Sequence, residues 1–437
     1  MSASKLMRKR AILATLALLG VLPICALALP ILQPKPMPPP TAATPSQVSL
    51  SKGYAALMRN DLKAAADAFE EAAKLDEKSA FPQIGMAEVA RRQNQPELVE
   101  IWLKKAVAIN PKSPEVQRAW ARYLIGVNRF AEAESALKQA ISLAPGSADA
   151  YVDLGDNYLG GLRRAGDAAS AYREAIKLKP NLAAAHLGLG AALAAQGEGA
   201  PAVAEFGLAA KFAPKDPVPR HELGRLYASQ KQYDKALAAM GKALKIQPGY
   251  MPARLDRGDI FVAKGALDKA LVEYQAAAKA LPKLAVAHLK VGAVFQAQKK
   301  WTEAEQAFLK AVEADPKMFG AYNNLAWMAV ERKEHLQEAL VWANKAVEIA
   351  PESGDCLDTL GWVHRARGEL DPAIVMLEKA VTKQPPRADF YYHLGVVYAE
   401  KGRRPEAVAA LKKALKIDKK FVQAEDAHRQ LEKLGEK

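Results

Sequence analysis

The sequence predicts an all-α solenoid of about eleven helix-turn-helix repeats, and three recurring series in its 437 residues carry that prediction. An alanine returns at Ala72, Ala106, Ala140, Ala175, Ala209, Ala243, Ala277, Ala311, Ala346, Ala380 and Ala414, spaced by 34 residues except for two steps of 35. Prolines keep the same time at Pro111, Pro145, Pro180, Pro214, Pro248, Pro282, Pro316, Pro351 and Pro385. A small residue does so at Gly53, Ala87, Ala121, Gly155, Gly190, Gly224, Gly258, Gly292, Ala326, Gly361 and Gly395. A fixed period in this range marks a repeat architecture. Beyond residue 50 no stretch alternates apolar and polar residues as strands do.

The chain ahead of the repeats reads as a leader. Residues 1–10 form a basic flank with Lys5, Arg8, Lys9 and Arg10. An uncharged, mostly apolar run, 11–32, is long enough to span a bilayer as a helix. Its positive flank would stay in the cytoplasm and send the rest across. The expectation is an inner-membrane protein with a single N-terminal anchor and an extracytoplasmic, periplasmic repeat domain. A cleaved signal peptide ending near Ala26–Ala28, or lipidation at Cys25, are the rival readings. Residues 33–45 are a proline-rich linker, a semi-rigid spacer of roughly 35 Å.

Repeats fill 46–421. They begin near Ser46, Ala80, Pro114, Ala148, Ala183, Pro217, Met251, Ala285, Phe319, Gly354 and Ala388. Each reads as two antiparallel helices, with small residues where the backbones approach and bulky ones between hairpins. A single hairpin cannot bury its apolar face alone, so neighbours must complete the core. The repeats starting at Ala148 and Phe319 carry one extra residue each, expected to lengthen turns. Residues 422–437 read as a capping helix, with Ala424, Ala427, Leu431 and Leu434 facing inward and Gly435 as the stop.

The pattern within one repeat carries a resemblance. Residues 148–182 show Tyr151, Leu154-Gly155, Tyr158, Ala168, Tyr172, Ala175 and Pro180. Residues 285–318 show His288, Val291-Gly292, Phe295, Ala304, Phe308, Ala311 and Pro316. This resembles the tetratricopeptide (TPR) repeat over essentially all of 46–421. The resemblance implies a right-handed superhelix whose first helices line a concave groove, and a protein-binding function. Residues flanking the Leu-Gly pair would face that groove and lie off the inter-repeat core.

Composition narrows the function. Net charge is +14 with a pI near 9.4. Five basic and no acidic residues lie in 1–45, so about +9 remains on the rest. That excess suits an acidic protein or a polyanionic glycan and is too diffuse for nucleic acid. Two cysteines, Cys25 and Cys356, make no disulfide framework. None of the seven histidines forms HExxH or pairs with cysteine at metal-ligand spacing. His186 and His288 take the aromatic position of their repeats, where packing accounts for them. No Walker loop and no G-x-S-x-G appears, and "GLGAAL" at Gly188 follows no strand. The expectation is therefore no enzyme, no cofactor and no metal.

The groove divides into regions. Arg118 and Arg122 in the third repeat face Asp149, Asp153 and Asp156 in the fourth, an arrangement expected to form inter-repeat ion pairs. Repeats five to eight offer mostly Ala, Leu and Val, with His221, Arg225, Asp256 and Lys290, a surface for an amphipathic helix or extended peptide. In the ninth repeat Asn323, Asn324 and Trp327 flank Leu325-Ala326. Asp358 and Trp362 flank Leu360-Gly361, and Tyr392 and His393 precede Leu394-Gly395. Rigid aromatics among hydrogen-bonding groups are typical of hot spots, so these seven residues are the candidate partner-binding site. A purely structural role for the indoles, setting helix packing, is the competing reading.

The last three repeats, with "NNLAW", "LDTLGW" and "YYHLG", are similar to those of exosortase-associated exopolysaccharide-system TPR proteins. The resemblance implies an exported, membrane-tethered interaction scaffold in cell-envelope or exopolysaccharide assembly. A single-client peptide chaperone, as in cytochrome c maturation, and an anionic-glycan-binding module are the alternatives.

Overall fold

A computed structural model describes residues 44–436, which fall into two compact bodies divided between Ile246 and Gln247. The first holds six helical hairpins; the second holds five and a final helix, Ala424–Lys433. First helices begin at Pro45, Phe81, Pro114, Ala148, Ala183 and Val218 in one body. In the other they begin at Met251, Ala285, Phe319, Gly354 and Ala388. Among the described residues there is no strand.

The alanine series explains the hairpins. All eleven members are fully buried at 0% exposure, because a methyl group is the largest side chain that lets neighbouring helices approach there. A bulky residue from the second helix then lies over the repeat glycine. At Gly258 an added Cβ would sit 2.3 Å from the Tyr274 ring, so that position admits no side chain. In the final helix Ala424, Ala427 and Leu431 are buried, and Gly435 follows at φ +79.

Thr44, read above as linker, caps the first helix. Its Oγ1 accepts from Gln47 N at 3.3 Å, and Gln47 Oε1 accepts from Thr44 N at 3.0 Å.

The two insertions behave differently from each other. The extra residue near Ala148 does not lengthen a turn. It winds Asn157–Gly161 into a π-helical turn, the usual way to absorb one residue without leaving the helix. Asn157 is completely buried there and donates from Nδ2 to Phe130 O at 3.0 Å. The insertion near Phe319 does enlarge a turn, where Lys333 and His335 adopt left-handed backbone.

Four of the turns between hairpins use the same device. The side chain six residues after the repeat proline bonds that proline's carbonyl oxygen: Gln117 to Pro111 at 2.8 Å, His186 to Pro180 at 2.8 Å, Arg254 to Pro248 at 2.9 Å and His288 to Pro282 at 2.9 Å. The histidines expected to be packing residues are therefore hydrogen-bonding ones. His186 Nδ1 also meets Glu205 Oε2 at 2.6 Å, so both ring nitrogens face acceptors.

The membrane expectation is corrected. The longest described helices have 14 residues, against about 20 for a span. Among the described residues no helix is long and apolar enough to cross a membrane. The flank 1–10, the apolar run 11–32 and nearly all of the linker lie outside the described residues. An inner-membrane, periplasmic localisation is therefore withdrawn, and the repeat fold supplies no address of its own.

Candidate binding groove

Within each body first helices lie side by side, and one contact rule organises what they show. The residue two before the repeat glycine meets two residues of the preceding repeat: the one three before its glycine and the one just after it. Those two lie four apart, on one helical face.

In the first body this rule builds an ionic node. Asp153 receives Arg118 Nε at 2.8 Å and Arg122 Nη2 at 2.8 Å, and it is 2% exposed. The ion pairs expected here exist, but they converge on Asp153. Asp156 instead accepts from Tyr172 Oη at 2.6 Å.

In the second body the same three positions hold Asp358, Trp362 and His393. His393 Nδ1 lies 2.9 and 2.8 Å from the two Asp358 oxygens. Its ring stacks on Trp362 with centroids 4.1 Å apart and planes at 27°. Trp327, two repeats back, reaches the same ring at 5.8 Å. Burial raises the Asp358 carboxyl above its ordinary value, and the charge of His393 opposes that. Tyr392 Oη donates to Asp426 Oδ2 of the final helix at 2.7 Å, and burial followed by that contact holds its phenol protonated well into the alkaline range.

Trp327, Asp358, Trp362 and Tyr392 meet at the His393 ring across three first helices, but not as a freely exposed patch, and among the described residues no hydrogen bond or ring contact joins Asn323 or Asn324 to them. Asn324, Asp358, Tyr392 and His393 are 7, 5, 8 and 3% exposed. They are part of the packing between repeats, which corrects the expectation that groove residues lie off the core. Trp327, Trp362 and Asn323 remain half-buried, with a face toward the groove. The reason is spacing: neighbouring first helices pack closely enough for a side chain to fill the gap, leaving only larger rings to project.

The structure adds residues that sequence reasoning missed. A pocket of about 420 Å³ opens between the last two first helices and the final helix. Trp362 and Tyr392 line it with Arg365, Glu400, Asp426 and Lys433. The Arg365 guanidinium lies 4.3 Å over the Trp362 ring, and its Nε is 3.0 Å from each Glu400 oxygen. The available signal was the position of Arg365, three residues after Trp362 on the same face.

Two amide atoms stand apart. Asn323 Oδ1 and Asn324 Nδ2 are buried without a hydrogen-bond partner. By the contact rule Asn324 falls between Leu289 and Ala293 of the preceding repeat, neither of which has a polar side chain. A buried donor left unmade costs about 1–3 kcal/mol.

Cys356 is buried, and desolvation pushes its thiol up to about 11, far from the reactive range. Among the described residues no group of three or more His, Cys, Asp or Glu is placed to hold a metal ion.

Comparison with known families agrees with this architecture. A tetratricopeptide repeat-like domain matches residues 164–291, and a tetratricopeptide repeat matches 118–181, 292–354 and 359–420. Together they cover well over half of the chain, which belongs to the tetratricopeptide-repeat family. Comparison with curated protein sequences returns no match. Among solved structures the chain is similar to the APC/C hetero-tetramer Cut9–Hcn1, at 15% identity and TM-score 0.47, covering 89% of this chain and 97% of that one. It is similar to yeast Tom70 at 14% identity and TM-score 0.48, covering 89% and 95%. A tetratricopeptide repeat protein from Parabacteroides merdae gives 18%, 0.46, 56% and 96%. These likenesses carry nothing about function.

Proposed function

We propose that the protein is an interaction scaffold that takes an extended segment of a partner protein at the groove of repeats nine to eleven. The observation behind this reading is the placement of Trp327 and Trp362. Both indoles are half-buried, both touch the buried His393 ring, and Trp362 lines a pocket with charged groups of both signs. Rigid rings already held by their neighbours lose little side-chain entropy on binding. A place in envelope or exopolysaccharide assembly rests on the resemblance of the last three repeats alone.

Cross-linking in native extract followed by mass spectrometry supplies the partner. Its affinity is then measured against Trp327→Ala with Trp362→Ala. Undiminished affinity for every recovered partner rules the groove out. Recovery of several folded partners fits a scaffold, whereas one unfolded client fits a chaperone. Retention on acidic polysaccharide that is lost with salt fits glycan binding instead.

A further inference from the structure

The chain contains its own comparison for a carboxylate in the groove. Asp259 follows Gly258, and Asp156 follows Gly155, so the two occupy equivalent positions. Each accepts a hydrogen bond from an equivalent tyrosine of the second helix: Tyr274 at 2.5 Å and Tyr172 at 2.6 Å. Asp259 is completed by the next repeat, where Lys290 Nζ lies 2.7 Å away and the lysine is 4% exposed. The position of Lys290 in the repeat after Asp156 is Gly188.

So Asp156 has the tyrosine and lacks the ammonium. Among the described residues its hydrogen-bonding partner is Tyr172, and no lysine or arginine pairs with it. Arg122, the cation that acts on it, makes its ion pair with Asp153. Desolvation pushes the Asp156 carboxyl up to about 7, Asp153 adds to the rise, and Tyr172 and Arg122 oppose it. Gly188 is half-buried, and Val152 and Leu187 beside it are half-buried apolar residues, suited to a methylene chain. The Tyr172 ring closes over Gly188, 2.3 Å from where a Cβ would lie. A side chain therefore cannot start from the backbone here; it must arrive from the groove. At Asp259 the Lys290 ammonium sits 5.6 Å over the equivalent Tyr274 ring, so the same ring would take part in holding an ammonium.

We propose that Asp156 is the docking point for a lysine side chain of a bound peptide, its ammonium taking at Asp156 and Tyr172 the place that Lys290 takes at Asp259 and Tyr274. The site lies in repeats four and five and is independent of the aromatic groove. It makes an acidic point in a basic protein, where a lysine is discriminated by a charge-assisted bond in a partly dry setting.

The test uses the full chain and two peptides, acetyl-Ala-Ala-Lys-Ala-Ala-amide and the same peptide with norleucine for lysine. The lysine peptide should bind about tenfold more tightly, and Asp156→Asn should erase that preference. Asparagine still accepts from Tyr172, and a helical spectrum with melting no lower than that of the unaltered protein checks that the fold is kept. In carboxyl-carbon NMR the Asp156 titration, observed with Arg122, Asp153 and Tyr172 facing it, should move to lower pH with the lysine peptide alone. Trp327→Ala with Trp362→Ala should leave the preference intact, which separates this site from the C-terminal groove. Equal affinity for the two peptides, or a preference that survives Asp156→Asn, overturns the proposal. Should Asp156→Asn fail to fold, the two peptides on the unaltered protein still decide.

Discussion

Asp153 and His393 occupy the same position in repeats four and eleven, and their surroundings put that position to opposite uses. Asp153 is gripped from the preceding repeat by Arg118 and Arg122, and the node ends there: two guanidinium groups share one buried carboxylate. His393 is gripped from the same two places by Asp358 and Trp362, but only the Asp358 contact is a hydrogen bond. The aromatic contact takes one face of the indole and leaves the rest of the ring to Arg365, whose guanidinium lies 4.3 Å from it, and to the pocket that Trp362 lines. The gap between first helices must be filled in either case. Filling it with opposite charges hides the chemistry, whereas filling it with a ring supported by a buried pair props further rings toward the groove.

That contrast can be broken in several ways. The largest effect is expected from Asp153→Ala, which strands two arginines that are 12 and 15% exposed and should cost about 3 kcal/mol in urea unfolding. Partner affinity at the C-terminal groove should be unchanged. If affinity falls with stability, the two nodes do not have the separate roles assigned to them.

Ala243→Leu tests the frame beneath both nodes. Ala243 is 0% exposed, and overpacking at such a site typically costs about 1–3 kcal/mol. Because repeat stability is carried by neighbours, hydrogen exchange should rise mainly in repeats five to seven. An unaltered melting curve would contradict the assignment of this alanine to the helix contact.

Trp327→Ala with Trp362→Ala sharpens the comparison. Affinity for the partner should drop by about 2 kcal/mol, roughly thirty-fold. Since Trp362 stacks on His393, some stability must go too, but less than for Asp153→Ala. A melting loss exceeding that of Asp153→Ala would make the indoles packing residues.

The smallest effect concerns pH. The folded Asp156 carboxyl, at about 7, lies above its ordinary value of 3.8. Between these values the folded state holds a proton that the unfolded chain has released, so stability falls as pH climbs through that window. Asp156→Asn should flatten this fall by about 1 kcal/mol, after allowance for solvent at a half-buried group. An identical pH profile in the variant would show that Asp156 titrates normally.

Much of the site was legible because helical period places side chains on faces. The positions around the repeat glycine group Trp327, Asp358, Trp362, Tyr392 and His393, though not Asn323 and Asn324 with them, and put Arg118 and Arg122 opposite the fourth repeat. The depth of each was not legible. Whether a groove position is open depends on what the adjacent helix places beside it, and that neighbour lies about 34 residues away in sequence. Hence Asn324, between Leu289 and Ala293, has an unbonded donor, while His393, between Asp358 and Trp362, bonds the carboxylate through Nδ1 and stacks on the indole. Arg365 and Glu400 escaped notice because single charges on a helix face look alike until a ring lies beneath one of them.

By itself the sequence determined the repeat: its period, its eleven hairpins, the alanines where helices touch and the helix that closes the array. Those are local and periodic properties, set by side-chain size at a fixed spacing along the chain. Only the tertiary structure decided which of three aspartates takes both arginines, that an inserted residue winds a π turn at Asn157–Gly161, and that two histidines bond proline carbonyls. Each of these turns on a distance of a few ångströms between residues on different helices, and spacing along one chain does not encode such distances.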